Sequence, residues 1–467
     1  MDIVRRIRDL AWLGVLSATA VWAQSSPETA SYRLGDVGEP VIENGEPVIE
    51  NVAYVLPHEA EEYGGGYGEC VGACGGWGCV GDTPWTLPQP CLLQRLGIKV
   101  GGWLEQGITF NKFESDDGFN GPVATNDWDD RYQVNQVWLF FDRPANTGGC
   151  GWALGGHVDM IYGTDWRFGI NHGLEDRING FEYQRYGLVI PQAYVEVGYN
   201  DLSVKLGHFA GILDFEAVPS VMNPFYSHSY CYGYTVPQLV TGVLGDYKVT
   251  ERFSIQAGAH RGWLMFEDMN DNWDFMGGVK WTTCDKKTSI AYAVSTGPQD
   301  PFGDWNRIPG DQERFVYSLV FQHQVTERFK YVAVHNLGIE NNALPGGQDA
   351  EWYGLNQYFL YTINPCWQAN LRLEIMRDDD GARIAGPGNI PGVYAWNGRG
   401  FAGDFWGLTC GLSWRPHPNL LVRPELRWDW YSGLPGVYGP NNRPGYPFDG
   451  GNSDDQFTFG VDAVLTF

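Results

Sequence analysis

The nine histidines and nine cysteines of this 467-residue chain are its most versatile side chains, and their spacing assembles no reaction centre. There is no H-E-x-x-H pair to hold a catalytic zinc and no G-x-S-x-G elbow to present a nucleophile. Asp268-Met269-Asn270-Asp271-Asn272 opens like a calcium loop, but Trp273 stands where the sharp turn needs glycine, and no glutamate follows at the twelfth position. Asp378-Asp379-Asp380 reads as a solvated acidic loop that at most bridges loosely held divalent cations. Cys70, Cys74, Cys79 and Cys91 follow no zinc spacing and contain no haem-attachment motif, so two local disulfides are the expectation. No catalytic residue, cofactor or metal ligand is therefore assigned.

What does recur in order is charge. Arg372 and Glu374 alternate with Leu371, Leu373 and Ile375, and Arg423, Glu425, Arg427 and Asp429 alternate with Val422, Leu426, Trp428 and Trp430. Asp159, Glu196 and Lys205 fall in similar rows. A charged row opposite an apolar row is a strand with two environments, either lumen against lipid or water against a core. In a wide barrel such rows line water and bias which ions pass. That chemistry is electrostatic and involves no covalent step.

Composition narrows the choice. A net charge of −25 excludes nucleic-acid binding, which needs basic clusters. Aromatics make up 15% of the chain, glycine is abundant, and the mean hydropathy is −0.29, too low for a helical membrane protein. The apolar run 10–23 follows Arg5, Arg6 and Arg8 and ends in Val21-Trp22-Ala23, a cleavable signal-peptide pattern that puts the mature start at Gln24. Residues 24–62 carry the GEPVIEN repeat and read as a flexible acidic tether; 63–96 form a Gly/Cys-rich segment.

From 97 onward the period becomes 2. The hairpin around Thr250-Glu251, with Phe253, Ile255, Ala257 and Ala259 alternating with Ser254, Gln256, Gly258 and His260, is the unit that repeats. Strands are expected at 97–110, 131–142, 150–162, 188–199, 201–212, 237–249, 252–263 and 273–283. Eight more follow at 287–296, 312–324, 328–338, 353–363, 367–378, 402–415, 419–432 and 456–467. Links alternate: short at 143–149, 200, 250–251, 284–286, 326–327, 364–366 and 416–418, long at 111–130, 163–187, 213–236, 264–272, 297–311, 339–352, 379–401 and 433–455. This predicts an all-β fold, a transmembrane antiparallel β-barrel of about 16 strands with short periplasmic turns and long outer loops. Aromatic residues near strand ends (Tyr361, Trp367, Trp414, Trp430) suit the headgroup region. Cys150, Cys284 and Cys366 should then lie near the periplasmic rim.

Two stretches resemble known outer-membrane proteins. The chain ends in an apolar strand with a terminal aromatic, Gly460-Val461-Asp462-Ala463-Val464-Leu465-Thr466-Phe467, like the signal read by barrel-assembly machinery. Pro191-Gln192-Ala193-Tyr194-Val195-Glu196-Val197, Val204-Lys205-Leu206-Gly207-His208-Phe209 and Asn223-Pro224-Phe225-Tyr226-Ser227-His228-Ser229 resemble the β-barrel porin-2, OmpL-like family. There a Gly-Glu loop precedes the Asn…Tyr-Ser motif; here Ile-Leu-Asp-Phe-containing residues 212–215 separate Gly211 from Glu216. The resemblance covers 97–467 and implies an outer-membrane porin for small hydrophilic solutes. Outer-membrane lipid and, through Phe467, the assembly machinery are its expected partners. Sixteen-stranded porins commonly form trimers, so a homo-oligomer is expected by analogy of fold.

The long link 213–236 is unlike the others. It carries Phe215, Val218, Val221, Met222, Phe225, Tyr226, Tyr230, Tyr232 and Tyr234, where the rest are rich in Asp, Asn and Gly. Apolar surface left in water costs about 25 cal/mol per Å², so this loop should fold into the lumen. Asp214 and Glu216 would then face Arg372, Arg423 or Arg427 at a constriction. The alternative for the loop is packing outward at a subunit interface, since exposed apolar patches mark contacts; for the function, the alternatives are a surface-interaction barrel closed by its loops and an outer-membrane hydrolase.

Overall fold

The computed structural model describes residues 84–112, 114–116, 118–179, 185–267, 271–299, 312–344, 347–384, 400–438 and 443–467. The signal peptide, the tether and most of the Gly/Cys-rich segment lie outside these residues, as does part of the calcium-like stretch. Among the described residues no helix is long and apolar enough to cross a membrane.

Strands dominate: β1 Lys99–Asn111, β2 Gln133–Arg143, β3 Trp152–Gly163, β4 Gly187–Val189, β5 Ala193–Tyr199, β6 Leu202–Ala210, β7 Leu239–Thr250 and β8 Phe253–His260 come first. They continue as β9 Asp274–Thr282, β10 Thr288–Gln299, β11 Gln312–Thr326, β12 Phe329–Leu344, β13 Gln348–Asn364, β14 Trp367–Asp378, β15 Gly403–His417 and β16 Leu420–Gly433. A small outer hairpin, β17 Gly436–Tyr438 with β18 Arg443–Gly445, precedes β19 Asp455–Thr466. The main sheet closes on itself, because β1 pairs antiparallel with β2 on one edge and with β19 on the other, Trp103 opposite Thr466. Among the described residues this main sheet therefore has no free edge.

The sheet has seventeen strands, but β4 and β5 are halves of one traverse, so the barrel has sixteen crossings. Both halves pair with β3, Val189 opposite Ile161 and Ala193 opposite Val158. Pro191 lies at the break and has no N–H for the ladder; beside it, the Asp159 N–H donates to the Gln192 carbonyl at 2.8 Å. The other strand positions agree with the periodicity to within a few residues, with one larger difference. The expected long link 339–352 is mostly strand, since β12 runs to Leu344 and β13 starts at Gln348. Link 163–187 holds two short helices, α2 Trp166–Gly169 and α3 Glu175–Asn179, after a first one before the barrel, α1 Cys91–Leu96.

The faces divide as the alternation requires. Leu373, Leu426 and Phe459 point outward at 37%, 46% and 41% exposure, while Arg372, Arg427 and Thr458 beside them are buried inside. Ring pairs mark the two ends of the belt: Trp152–Tyr199 and Trp367–Trp414 near short turns, Trp406–Trp430 near long loops.

The chain enters along the short-turn rim. Asn419 brackets Trp85, accepting its N–H at 3.0 Å and donating to its carbonyl at 2.8 Å, and the Gln89 amide grips both backbone groups of Val100. Phe467 ends at the same rim, exchanging two backbone bonds with Gly102. Cys91 is exposed at the start of α1 as a free thiol, so the four cysteines of the Gly/Cys-rich segment do not form two local bridges. Cys150 and Cys284, in short turns, are free as well.

Candidate functional site: a loop across the lumen

The link between β6 and β7, 211–238, turns into the barrel at Asp214. This residue has φ 81, and its carboxylate accepts the N–H groups of Phe215 at 2.6 Å and Glu216 at 3.2 Å, which holds the reversal. Asn223 then staples the segment to itself, accepting the Ala217 N–H at 2.9 Å and donating to the Ala217 carbonyl. Ser229 caps a single helical turn, α4 Tyr230–Tyr234, by accepting the Tyr232 N–H at 3.2 Å.

Apolar side chains carry this segment to every side of the lumen. Leu213, Tyr232 and Val236 join the inward residues of β5–β11; Val218 and Val221 pack against Trp103, Trp138 and Ile161. Phe225 meets Val320, Val334 and Tyr358, and Tyr230 with Cys231 meets Trp352, Met376 and Phe405. The burial that the composition demanded is thus found inside the barrel.

Irregular backbone at membrane depth needs partners for its N–H and C=O groups, and the charged rows supply them. Arg372 donates to Glu216 at 3.0 Å and to the Ser227 carbonyl at 2.8 Å. Arg423 donates to the carbonyls of Ser220 (2.8 Å) and Asn223 (2.7 Å) while paired with Asp462 and Glu105. Glu425 accepts the N–H of Tyr226 at 3.0 Å and of Ser227 at 3.2 Å. Arg427 donates to the His228 carbonyl at 2.7 Å and pairs with Asp429 and Glu374. Glu374 accepts the Tyr230 N–H at 2.8 Å, and Asp429 accepts the Tyr230 hydroxyl at 2.9 Å. The i, i+2 spacing puts every one of these groups on the inner face.

Glu216 is the hub on the loop. It binds Arg372, accepts from Ser229 N–H (2.9 Å) and the Tyr358 hydroxyl (2.8 Å), and faces His228 Nδ1 at 2.8 Å. Burial alone would raise its pKa, yet Arg372 and His228 bring it down to about 2. Asp214 is placed differently from the expectation. It faces no arginine; Asn336 bonds its carboxylate and Ser318 accepts its N–H at 3.0 Å. Burial, reinforced by Glu216, pushes its pKa up to about 6.

The remaining candidates stand apart from the loop. Asp159 is buried against Trp138 Nε1 (3.0 Å), Gln192 Nε2 (2.8 Å) and His157 (2.9 Å). Glu196 and Lys205 are cross-strand neighbours toward the short-turn end, with Lys205 over the Tyr194 ring. The alternation reads Arg372, Glu374, Arg423, Glu425, Arg427 and Asp429 as lining water; they are instead buried beneath the loop, whose backbone bonds the first five and whose Tyr230 hydroxyl bonds Asp429. Asn336, Asn356 and Tyr358 also bond the loop, and inward parity on β12 and β13 is the one sequence signal that points to them. The aspartates at 378–380 are engaged by protein: Asp378 accepts three backbone N–H groups at 382–384, and Asp380 accepts that of Glu351. No metal-ligand cluster occurs among the described residues.

Residues 97–467 match the family model described as "Putative beta-barrel porin-2, OmpL-like". Among solved structures, the outer membrane channel DcaP of Acinetobacter baumannii aligns with TM-score 0.51 and 13% identity, covering 79% of this chain and 97% of that one. OprB of Pseudomonas putida (TM-score 0.49, 12% identity, 80% and 96% covered) and an anion-selective porin from Comamonas acidovorans (0.49, 10%, 79% and 99%) are more distant. At these identities the DcaP likeness shows the fold alone. No curated protein matches the sequence.

Proposed function

The chain belongs to the family described as Putative beta-barrel porin-2, OmpL-like, and from that premise we propose that it passes small hydrophilic solutes or ions by passive diffusion, with the loop 211–238 as its constriction. It is an outer-membrane β-barrel of the bacterial envelope. The observation that carries the reading is the clamp: four backbone carbonyls and three N–H groups of one irregular segment are bound by charged residues of β14 and β16. A loop fixed this firmly across a lumen sets what can pass.

One observation favours the second reading, a lumen closed by its loop. Every traverse has at least one inward residue that is 6% exposed or less, from Glu105 and Trp138 through Leu244, Met276 and Val316 to Arg372 and Thr458. Conductance in planar bilayers separates the two. The native chain is expected to conduct, and deletion of residues 220–230 to raise conductance severalfold. A silent native chain that conducts only after the deletion selects the closed barrel. Hydrolysis of labelled lipid would instead reveal an enzyme.

The same reading places the tether on the periplasmic side, since residues 84–98 run along the rim of short turns. Protease added to intact cells should spare the tether and cut the long loops. A disulfide between Cys366, at the β13–β14 turn, and the Gly/Cys-rich segment belongs here too. Its support is that the other five described cysteines are free thiols; peptide mapping without reductant tests it.

A further inference from the structure

Two long outer links meet over one indole. Within 111–130 the bridge between Phe119 and Trp128 closes a hairpin, in which the Asn120 N–H donates to the Asp127 carbonyl at 2.6 Å. Trp128 is buried, and three guanidinium groups stand over its ring: Arg185 at 4.3 Å, Arg131 at 4.9 Å and Arg167 at 5.6 Å. They come from separate stretches of chain. Arg167 belongs to α2 and Arg185 lies just before β4. Arg131 lies just before β2 and reaches across Gly118, where a Cβ would come within 3.3 Å of its Nη2.

The three differ in what neutralises them. Arg167 is buried and held in two-pronged fashion by Asp127, both Nη atoms at 2.7 Å, with its Nε on the Thr164 carbonyl at 3.1 Å. The Asp129 carboxylate is taken up by the N–H groups of Asn111 (2.7 Å) and Ser115 (2.9 Å). Among the described residues no carboxylate pairs with Arg131, which is exposed, or with Arg185, which is half-buried. Arg314, Arg372 and Arg427 also stand over rings, but Glu340, Glu216 and Asp429 neutralise them. An indole face attracts a cation and leaves its charge in place. Two like charges held over one ring repel each other, and this chain, with a net charge of −25, offers them no described counterion.

We propose that Arg131 and Arg185, seated on Trp128, form a binding site for a phosphate group at the outer rim. A phosphate carries a charge of about −1.5 to −2 at pH 7 and several acceptor oxygens, which matches two unneutralised guanidiniums in charge and in forked donor geometry. The exposed Arg131 has room to close on an anion shared with Arg185. Arg167 is a positioning residue, fixing the hairpin that carries Trp128 through Asp127. The surroundings are those of the headgroup layer. Tyr132, next to Arg131, and Tyr162, stacked on Tyr186 beside Arg185, are each 54% exposed, as rings at a membrane–water boundary are. The phosphate therefore has two sources, an outer-leaflet headgroup or a soluble solute. The site lies apart from the clamp on β14 and β16 and does not rest on whether the lumen conducts.

The test uses the full barrel with two probes. Inorganic phosphate is titrated by calorimetry into the barrel in an uncharged detergent. Separately, phosphatidic acid mixed in equal parts with phosphatidylcholine is offered in nanodiscs, and the lipid retained after gentle release is counted by native mass spectrometry. Arg131→Gln with Arg185→Gln should weaken phosphate binding by about tenfold or more, or leave one phosphatidic acid fewer on each barrel. Lys286→Gln with Lys287→Gln removes the same charge at the short-turn rim and should change neither readout. Heat-modifiable gel mobility checks that both variants remain folded. An effect on the lipid count alone identifies the headgroup as the source, and an effect on phosphate titration alone identifies a soluble solute; either supports the site. Binding of neither probe, binding undiminished in the arginine variant, or an equal loss in the lysine variant would each overturn it.

Discussion

The two halves of the wall hold the same loop by different physics. On β14 and β16, Arg372, Glu374, Arg423, Glu425 and Arg427 grip it through directional, charge-assisted bonds to backbone atoms. On β5–β11, Tyr194, Phe209, Leu244, Met276 and Val316 meet it through apolar contact with Leu213, Tyr232 and Val236. There the wall is cut back: a Cβ on Gly278 of β9 would come within 3.2 Å of Ile212 Cδ1. Apolar burial is non-directional and tolerates repacking, whereas an arginine with several acceptors accepts only one loop path. The β14–β16 side therefore decides where the loop lies, and the opposite side fills the space that remains.

The largest effect should come from cutting the directional side. Arg372→Met leaves Glu216 and Glu374 buried without one guanidinium, a loss of about 3–5 kcal/mol. The unfolding temperature should fall clearly, and conductance should rise as the loop comes loose. Next is Leu213→Ala, which removes apolar contact at a cost of about 2–4 kcal/mol and should lower the unfolding temperature with a smaller rise in conductance. If Leu213→Ala opened the channel more than Arg372→Met, the assignment of roles to the two sides would be reversed.

A smaller effect should follow pH. Asp214 ionises at about 6 in the fold against an ordinary 3.8, so the stability tied to its neutral form is full below 3.8 and lost as pH rises through 6. Glu216, held at about 2 against an ordinary 4.5, contributes stability above 4.5 that is lost as pH falls toward 2. Of these two carboxylates only Asp214 changes charge between pH 7 and pH 5, so its contribution should make the barrel more stable and its current quieter at pH 5. Asp214→Asn should flatten that difference; a difference that persists in the variant would assign it to another group. The smallest effect belongs to the rim pair Lys248–Glu251, 2.8 Å apart and largely solvated. Lys248→Ala should change stability by no more than about 0.5 kcal/mol and leave conductance alone.

The sequence by itself determined the barrel. A period of 2 fixes which side chains share a face, and a membrane fixes how long each strand must be, so alternating rows and alternating links suffice to count sixteen crossings. It also determined that Arg372, Glu374, Arg423, Glu425, Arg427 and Asp429 point inward, and the composition of 213–236 marked the loop that follows them in. Only the tertiary structure decided what those charges meet. Parity says inside, but it cannot say whether the inside holds water or backbone, and here the carbonyls of Ser220, Asn223, Ser227 and His228 take the place that water was expected to fill. The break between β4 and β5 and the pairing of Asp214 with Asn336 depend likewise on contacts between segments far apart in the chain. No local pattern encodes such contacts, because each exists only once the wall has closed around the loop.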